Sequence, residues 1–365
     1  MGLLTNFKQN DVFRDEHSLA FDGSNDYVEL SGAFNYTVHS ISIWVKEASI
    51  SGASSLFDYR DANNDGIHIY LADGKPLYQN NNADGYYNSA LTLNQWHHIV
   101  CTNDGSTSTI YVNGVAVETA DTSGETISVG ASTVARIGCR SHTSPDNYFN
   151  GNISEVAFYT SALTINQVKT IYNGREPYNH KEGVASGNLQ AWYRMGDGAL
   201  DGFDSKENGL IQSHNSQLQS SIVTSWTNAS AGFNTLNATG TNITSMINND
   251  SGTDNVRSNS LTVATTDTYK VSFDIAGTTI PSSINKLMLK VSPNNALNSA
   301  TYDGSVTGAG SYVFYVQPQT TTIYVGFRAV EDVDCNVTNF KMQKITNNSG
   351  LMKNMTATDI EGDTP

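Results

Sequence analysis

A chain of 365 residues is longer than one hydrophobic core usually serves, so we expect two domains. Only 15% of the residues are charged, while Asn, Thr, Ser, Gly and Tyr are abundant, which is typical of an all-β protein with many turns. The 20 Lys and Arg residues are outnumbered by 35 Asp and Glu residues, giving a net charge of −15. That charge argues against a surface that binds nucleic acid or an anionic membrane.

The cysteines and the apolar segments give no sign of secretion or membrane insertion. Cys101, Cys139 and Cys335 are odd in number and widely spaced, which fits neither a disulfide framework nor a zinc site. Because Cys101 follows a predicted strand segment, we expect it to be a buried, reduced thiol. The first residues lack the apolar region of a signal peptide, and no stretch approaches the length of a transmembrane helix.

Residues 1–15 form a predicted N-terminal arm, and residues 16–176 alternate between short apolar strands and turns. The segment from Ile41 to Val45 alternates between two faces as a half-buried strand does. Two hairpins are predicted, one at Asn64-Asp65-Gly66 and one at Asn113-Gly114, because these residues favour tight turns between strands. The region is therefore predicted to be a β-sandwich.

The end of this region combines a turn, a strand and a helix. Asn150-Gly151 predicts a tight turn before the strand at residues 153–159. That strand is mostly apolar, so we expect its sheet to be covered on both faces. A short helix is predicted from Ile165 to Tyr172. Three tryptophans that we place in strands are expected to lie in the core, and these are Trp44, Trp96 and Trp192.

The second half of the chain changes in composition. Residues 177–217 contain one strand and are predicted to connect the two halves, packing on the first sandwich or bridging to the second. Residues 218–346 are rich in Ser, Thr and Asn, and their evenly spaced short strands predict a second sandwich. Residues 347–365 show no sandwich pattern and are predicted to be a C-terminal tail that acts as a linker or docking arm.

Residues 16–176 resemble the laminin-G-like jelly roll of the concanavalin A-like lectin and glucanase fold. The resemblance lies, in order, in the segments SLAFDGSNDYVEL, ISIWV, LNQWHHIVCTNDGSTSTIYVNGVAV, ARIGC and YFNGNISEVAFYTSALTINQVKTIYNG. The later segments TYKVSFDI, GSYVFYV, TTIYVGF and CNVTNFKMQKI look like jelly-roll carbohydrate-binding modules. The expected fold is all-β, with two jelly-roll β-sandwiches in series and short polar N- and C-terminal arms.

Catalysis is not expected, although this fold hosts glycosidases that need two carboxylates beside the scissile bond. The resemblance to laminarinase-type members implies Glu, Asp and Glu on alternate positions of one strand, whereas residues 153–159 carry only Glu155. We interpret Glu155 as a structural hydrogen-bonding residue. His97 and His98 are adjacent in a strand, so they face opposite ways and cannot chelate one ion together. The sequence therefore predicts no catalytic residues.

Calcium is the candidate cofactor. Asp61, Asn63 and Asp65 are oxygen ligands at positions one, three and five of a loop that continues with Gly66, as in an EF-hand. The bidentate Glu expected at position twelve is absent, since Ala72 occupies it. The alternative is an ordinary Asn/Asp/Gly β-turn. Both interpretations stay open at this point.

Glycan binding needs exposed aromatic rings beside polar side chains, because a pyranose has an apolar face and a rim of hydroxyl groups. The loop at residues 77–88 has this composition. The candidate glycan-binding residues are Tyr78, Asn82, Asp84, Tyr86 and Tyr87. The alternative is a polar loop whose tyrosines pack on the sheet edge.

The whole pattern resembles structural proteins of tailed-phage virions. This resemblance implies a non-enzymatic virion surface protein, either a head decoration or a fibre component, assembled in the host cytoplasm. Its expected partners are copies of itself, other virion proteins and a cell-surface glycan, with no nucleic acid and no membrane insertion. Weak glycan adhesion would be multiplied by copy number. The alternative is a lectin-like carbohydrate-binding adhesin.

Overall fold

Almost every regular element of the computed structural model is an antiparallel strand, which confirms the all-β prediction. The chain divides into two units. The first comprises Met1–Asp201, Ile211–His214 and Gly350–Pro365, and the second comprises Gly202–Leu210 and Asn215–Ser349. The structure describes residues 13, 15–31, 34–50, 52–81, 83–130, 133–141, 144–198, 201–203, 209–213, 215–228, 235–248, 253–298, 302–330, 332–346 and 349–365.

The first unit begins with a series of strands and one α-helix. The strands are β1 (Ser18–Asp22), β2 (Tyr27–Leu30), β3 (His39–Glu47), β4 (Ala53–Arg60), β5 (Gly66–Ala72), β6 (Lys75–Asn80), β7 (Ala83–Tyr86), β8 (His97–Asn103), β9 (Thr107–Val112), β10 (Val115–Asp121), β11 (Ala135–Ile137), β12 (Asn150–Tyr159) and β13 (Leu189–Tyr193). The helix α1 (Ile165–Tyr172) follows β12, and a 3-10 turn at Ser186–Asn188 precedes β13.

These strands form two sheets. The first sheet has the order β10-β9-β8-β3-β12-β1, and β13 also pairs with β12. The second sheet contains β2-β11-β4-β5-β6-β7. The core lies between them, as shown by Phe34, whose ring lies 5.7 Å from Phe57 of β4 and 4.9 Å from Phe158 of β12. The predicted hairpins are confirmed between β4 and β5 and between β9 and β10.

Helix α1 covers the outer face of the first sheet. It begins at the N-cap Thr164, whose side chain accepts a hydrogen bond from the backbone of Gln167 in a capping box, and it ends at a left-handed Asn173. Its buried residues Val168 and Ile171 belong to an apolar cluster with side chains of the sheet. Strand β12 is therefore buried on both faces along nearly its whole length, as the sequence predicted.

The turn predicted at Asn150-Gly151 is wrong, because these are the first two residues of β12. Gly151 has a φ of +141°, and a Cβ atom there would collide with the backbone of Lys46 on β3. The glycine is therefore required for close approach of two strands and not for a reversal of the chain.

The second unit is the predicted second sandwich. Its strands are β14 (Gly202–Phe203), β15 (Gly209–Ile211, whose last residue belongs to the first unit), β16 (Gln217–Ser221), β17 (Trp226–Asn228), β18 (Thr235–Thr239), β19 (Asn242–Asn248), β20 (Asp254–Ser258), β21 (Leu261–Thr262), β22 (Thr268–Thr279), β23 (Leu287–Ser292), β24 (Tyr302–Val306), β25 (Gly310–Val316), β26 (Thr322–Ala329) and β27 (Val333–Thr346).

Two sheets enclose the core of this unit. One has the order β18-β19-β27-β22-β25, with β16 beside β27, and the other has the order β17-β20-β26-β23-β24, with β21 beside β26. Phe273 of β22 lies 4.9 Å from Phe327 of β26 with their rings perpendicular, which links the two layers.

The C-terminal tail is the main correction to the domain prediction. Residues 350–353 form β28 (Gly350–Lys353), which pairs with β2, and residues 360–361 form β29 (Ile360–Glu361), which pairs with β1. The tail thus completes both sheets of the first sandwich and is not an arm. The signal for these strands in the sequence is weak, because each strand is too short for its alternation to be recognised.

The remaining structural predictions are mixed. Phe13 and Asp15 are the described residues of the predicted N-terminal arm, and the Phe13 ring lies 5.7 Å from Trp192. Trp192 and Trp44 are buried as predicted, whereas Trp96 is only half-buried, precedes β8 and donates a hydrogen bond to Asp363 at 3.1 Å. The three cysteines are buried and free, as expected for reduced thiols.

Candidate functional site

A row of polar residues crosses the second sheet of the first sandwich. Adjacent strands bring Arg136 opposite both Glu29 and Asp58, and Asp58 opposite His68. The register continues from His68 to Gln79 and from Gln79 to Asp84. We call these six residues the polar row, and they are Glu29, Arg136, Asp58, His68, Gln79 and Asp84.

The polar row lies on the face of the sheet that points away from the core. Phe57 and Ile69 alternate with row residues on β4 and β5 and are buried in the core. Side chains of successive strand residues point to opposite faces, so Asp58 and His68 point outward.

Arg60 organises the centre of the row. Its Nη2 donates to Asp58 Oδ2 at 2.7 Å, its Nε donates to Asp58 Oδ1 at 3.1 Å, and its Nη1 donates to Gln79 Oε1 at 2.6 Å. Such a forked contact fixes both the guanidinium and the carboxylate in orientation. Asp58 and Arg60 are both buried, so their contacts hold the neighbouring side chains of the row in fixed positions.

The loop that follows β11 covers this centre. Ser141 donates through its hydroxyl to Asp58 Oδ1 at 3.0 Å, and its carbonyl accepts from Arg136 at 3.2 Å. Burial, and after it the positive charges of Arg60 and Arg140, hold the pKa of His68 well below its usual value. A neutral His68 can accept the hydroxyl hydrogen of Ser55 at Nε2, 2.7 Å away.

The β7 end of the row is open, and tyrosines lie near both ends. At the β7 end, Tyr86 is 49% exposed and donates to Asp84 Oδ2 at 2.8 Å. That hydrogen bond, more than burial, raises the pKa of Tyr86 to about 12. Tyr70 stacks on His68 with ring centroids 4.3 Å apart. Aromatic rings here stand beside carboxylate and amide oxygens.

At the β2 end, Tyr27 is the aromatic residue beside the polar row. The guanidinium of Arg136 lies 5.4 Å from the centroid of the Tyr27 ring. The centroid of the Tyr148 ring lies 6.5 Å from that of Tyr27. Arg136 also donates to Glu29 at 3.3 Å. Both ends therefore pair an aromatic ring with a charged residue of the row.

The structure places the predicted glycan-binding residues in different environments. Asp84 and Tyr86 lie at the open end of the row. Tyr78 is a correction, because its ring is fully buried in the core and its hydroxyl lies 2.6 Å from His39 Nε2 on the first sheet. Tyr87 is half-buried just beyond β7. Asn82 lies outside the described residues.

The predicted calcium loop forms a tight turn, which is the alternative interpretation of its sequence. Asp61 Oδ1 accepts the backbone N–H groups of Asn63 at 2.8 Å and of Asp65 at 3.2 Å. This is an Asx turn that closes the β4–β5 hairpin. No cluster of three or more His, Cys, Asp or Glu residues suited to a metal is found in the described part of the chain. Calcium binding at Asp61, Asn63 and Asp65 stays a prediction.

Glu155 is a structural residue, as the sequence analysis interpreted it. It occupies a bulge of β12 against β3 with a φ of 49°, and it is fully buried. Its Oε2 accepts the indole N–H of Trp192 at 2.6 Å, and its Oε1 lies 3.5 Å from Arg194 Nε. Asp15 also lies beside it, and burial raises the pKa of both carboxyl groups.

Sequence reasoning missed most of the polar row. The available signal was alternation: Asp58 and Arg60 flank Tyr59, and His68 and Tyr70 flank Ile69. That pattern marks one polar face on each strand. It does not give the register between strands, which decides that the six residues share a line.

Residues 22–169 match the family model described as the concanavalin A-like lectin/glucanases superfamily. Over these residues, the first sandwich is similar to the domains of that superfamily. The match confirms the resemblance drawn from the sequence for this part of the chain. Comparison with curated protein sequences found no match.

Solved structures similar to this chain include a candidate carbohydrate binding protein from Bacteroides ovatus, with 16% identity, a TM-score of 0.45, and coverage of 55% of this chain and 56% of that chain. A heptameric SAP-like pentraxin from Limulus polyphemus has 19% identity and a TM-score of 0.39, covering 45% of this chain and 85% of that chain. The CBM40 of the Ruminococcus gnavus IT-sialidase has 15% identity and a TM-score of 0.35, covering 42% and 97%.

None of the helices in the described residues is long and apolar enough to cross a membrane.

Proposed function

We propose that this protein binds carbohydrate without catalysing its turnover, and that the β7 end of the polar row in the concanavalin A-like domain contacts the sugar. The observation that carries the proposal is the register of six polar residues across six neighbouring strands, ending at Asp84 beside Tyr86. The family match of residues 22–169 supports it.

The chemistry of this end suits a sugar ring. Tyr86 offers an exposed aromatic face to the apolar side of a pyranose, and Asp84 and Gln79 offer oxygen and amide groups to its hydroxyls. The contacts of Arg60 hold Gln79 in place before a ligand arrives, which lowers the entropy cost of binding. A shallow site with few contacts fits weak binding by each copy.

A glycan array followed by calorimetry on the full chain tests the proposal. We expect binding of at least one neutral oligosaccharide, and we expect Tyr86→Ala to weaken it about tenfold or more, because stacking and area burial by an aromatic side chain are lost. Val115→Ala is the matched control, since Val115 is also an exposed strand residue of this unit, at 60%. Equal affinity of the two variants, or no binding by the wild type, would overturn the proposal.

Display on a tailed-phage virion, as a head decoration or fibre component with copies of itself and other virion proteins as partners, is a second proposal. What supports it is the sequence resemblance together with the weak binding expected of each site, which repeated copies would multiply. The predicted docking arm no longer supports it, because residues 350–353 and 360–361 pair within the sandwich. Immunogold labelling of purified virions tests it, and absence of label from every virion part would reject it.

A further inference from the structure

The residues that precede β1 dock on the outer face of the first sheet. Phe13 packs against the apolar cluster that contains residues of helix α1, and its ring centroid lies 5.7 Å from that of Trp192 on β13. The guanidinium of Arg194 lies 4.8 Å from the Phe13 centroid. Aromatic and cation–π contacts therefore anchor this part of the chain. We call it the docking segment, and its described members are Phe13, Asp15, Glu16 and His17.

The other end of the docking segment is held by Asp197, in the loop after β13. Asp197 Oδ2 accepts the backbone N–H groups of Glu16 at 2.7 Å and of His17 at 3.2 Å, and Oδ1 lies 2.6 Å from His17 Nδ1. Arg194 Nη2 also donates to Oδ2, at 3.4 Å. Backbone amides held in this way are protected from exchange with solvent, so they report whether the segment is docked.

Between these two anchors, the carboxyl group of Asp15 meets that of Glu155 in the bulge of β12. The two groups hydrogen-bond to each other, although an ionised carboxylate carries acceptors and no donor. One oxygen of each is satisfied elsewhere, since Asp15 Oδ2 accepts the Ser154 hydroxyl at 3.3 Å and Glu155 Oε2 accepts the indole N–H of Trp192. The other two, Asp15 Oδ1 and Glu155 Oε1, are buried and accept no hydrogen bond from another group in the described part of the chain. A proton held between the two carboxyl groups supplies the missing donor.

The charge balance around the pair also favours a retained proton. Asp15, Glu155 and Asp197 bring three carboxyl groups together, and the cation beside them is Arg194, 3.5 Å from Glu155 Oε1. Burial raises the pKa of Asp15, and the charges of Glu155 and Asp197 raise it further. Although burial opposes it, hydrogen bonds from His17 and the backbone hold the pKa of Asp197 below its usual value. The proton therefore resides on the pair. The titratable or charged groups on the elements around the pair are Glu16, His17, Tyr159, Arg194, Asp197 and Asp201.

We propose that the docking segment is a pH-sensitive strap, held against β12 and β13 by a proton shared between Asp15 and Glu155 and released when the pair loses that proton. Loss of the proton leaves two carboxylates facing each other in a buried site, which is costly. Release of the strap uncovers the Trp192 ring and the Arg194 guanidinium that Phe13 contacts. The strap does not depend on the function proposed for the polar row.

The direction of the pH dependence follows from linkage. In the released segment the Asp15 side chain is in water and has its ordinary pKa, about 3.9. Because the docked pair retains a proton above that pKa, docking takes up a proton at neutral pH. Docking is therefore strongest below about pH 4 and weakens by up to about tenfold for each further unit of pH, until the docked pair ionises.

Hydrogen exchange with mass spectrometry on the full chain tests the strap, using peptic fragments that contain the docking segment. The same sequence as a free synthetic peptide gives the intrinsic exchange rate at each pH, and the ratio of the two rates is the protection of the Glu16 and His17 amides. We expect this protection to fall at least about tenfold between pH 6 and pH 8, because docking takes up one proton. Equal protection at the two pH values would overturn the proposal.

Three variants identify the group that titrates. Asp15→Asn keeps the size of the side chain and replaces the shared proton with an amide N–H, so its protection should change less than about twofold between pH 6 and pH 8. His17→Gln removes the other titratable contact to Asp197 and should keep the wild-type fall. Asp121→Asn is the matched control, since it removes one exposed negative charge from β10, and it should also keep the fall. A wild-type fall in Asp15→Asn, or loss of the fall in His17→Gln or Asp121→Asn, would contradict the proposal.

Discussion

The second sandwich buries a mostly apolar core, with Asp254 and Lys290 as its buried charged residues in the described part of the chain, whereas the first sandwich buries several histidines and carboxylates and an arginine. In the second unit, Phe273, Phe314, Phe327 and Phe340 form the centre of a cluster of hydrophobic residues. In the first unit, His39, Glu47, Asp58, Arg60, His68, His98 and Glu155 are all buried. All the histidines of the sequence fall in segments of the first unit.

This difference indicates which unit holds its polar side chains in fixed orientations. A buried polar group costs free energy unless a partner satisfies it, and an apolar core has no such requirement. The first sandwich meets this cost with defined contacts, such as Arg60 with Asp58 and Trp192 with Glu155. These contacts hold side chains in fixed orientations, which is useful beneath a binding face. The hydrophobic core cluster of the second sandwich contains no such polar pair among its described members.

The two units also differ in how the chain builds them. The first unit is discontinuous, because its strands β28 and β29 follow the whole second sandwich in the sequence. The second sandwich is formed, apart from β14 and β15, by one continuous segment that ends at Ser349. Removing the end of the chain should therefore affect one unit and leave the other intact.

Ending the chain at Ser349 is predicted to have the largest effect on this comparison. The first unit loses β28 and β29 with the buried side chains of Met352 and Met355, a loss on the order of 5 kcal/mol or more. Because that is comparable with the total stability of a domain, we expect the first unit to unfold at 25 °C. Differential scanning calorimetry should show the thermal transition of the second unit alone.

A chain ending at Gly362 is the control for this truncation. It keeps both strands and loses only residues 363–365, with the contacts that Asp363 makes to Lys46 and Trp96. A smaller decrease in the first transition is expected. If the chain ending at Ser349 retained the first transition at its original temperature, the assignment of β28 and β29 to the first unit would be wrong.

Phe273→Ala tests the apolar core of the other unit. Its ring contacts Phe327 at 4.9 Å and is buried, so removing it should destabilise the second sandwich by about 3–5 kcal/mol. Calorimetry should show a lower second transition and an unchanged first one. Ile284→Ala, at a position that is 69% exposed, should change neither by more than about 0.5 kcal/mol. A shift of both transitions by Phe273→Ala would contradict independent cores.

The sequence was sufficient for the elements whose pattern is local. Helix α1 has the predicted bounds, Ile165–Tyr172, because a capping residue, an apolar stripe and a left-handed end lie within ten residues of one another. The hairpin at Asn113-Gly114 follows from two residues that tolerate positive φ, and both have it. All-β content and two sandwiches followed from composition and strand spacing.

The features that the sequence did not predict depend on contacts between residues that are far apart in the sequence. The closing strands β28 and β29 are short, and only their partners β2 and β1, far away in sequence, give them a role. The prediction of Tyr78 as a ligand contact is wrong because loop composition does not reveal which face of β6 is buried. The polar row required the register of six strands, which no single strand pattern contains.

Glu47→Gln sharpens the comparison through pH. Burial raises the pKa of Glu47 from 4.5 to about 7, an effect only partly offset by Ser54. A carboxyl group with a raised folded-state pKa stabilises the fold below its unfolded pKa, and this stabilisation is lost as pH rises through 7. Gln cannot ionise, so the variant should gain about 2 kcal/mol relative to wild type between pH 5 and pH 8.

Urea unfolding at the two pH values measures this gain. The transition of the second unit provides an internal control, since the substitution lies in the first unit and should leave that transition unchanged at both pH values. A constant difference between variant and wild type from pH 5 to pH 8 would show that Glu47 does not titrate in this range.

Tyr86→Phe is predicted to have the smallest effect on stability, and it distinguishes the open end of the polar row from its buried centre. The hydroxyl of Tyr86 donates to Asp84 at 2.8 Å, but the side chain is 49% exposed, so water can replace the hydrogen bond. We expect a change in unfolding free energy below about 0.5 kcal/mol in urea. At the centre of the row, Asp58 and Arg60 are buried together, and removing either partner would leave an uncompensated charge. A cost above about 1 kcal/mol for Tyr86→Phe would mean that the open end stabilises the fold as the centre does, and that Tyr86 is held for structure and not kept available for a ligand.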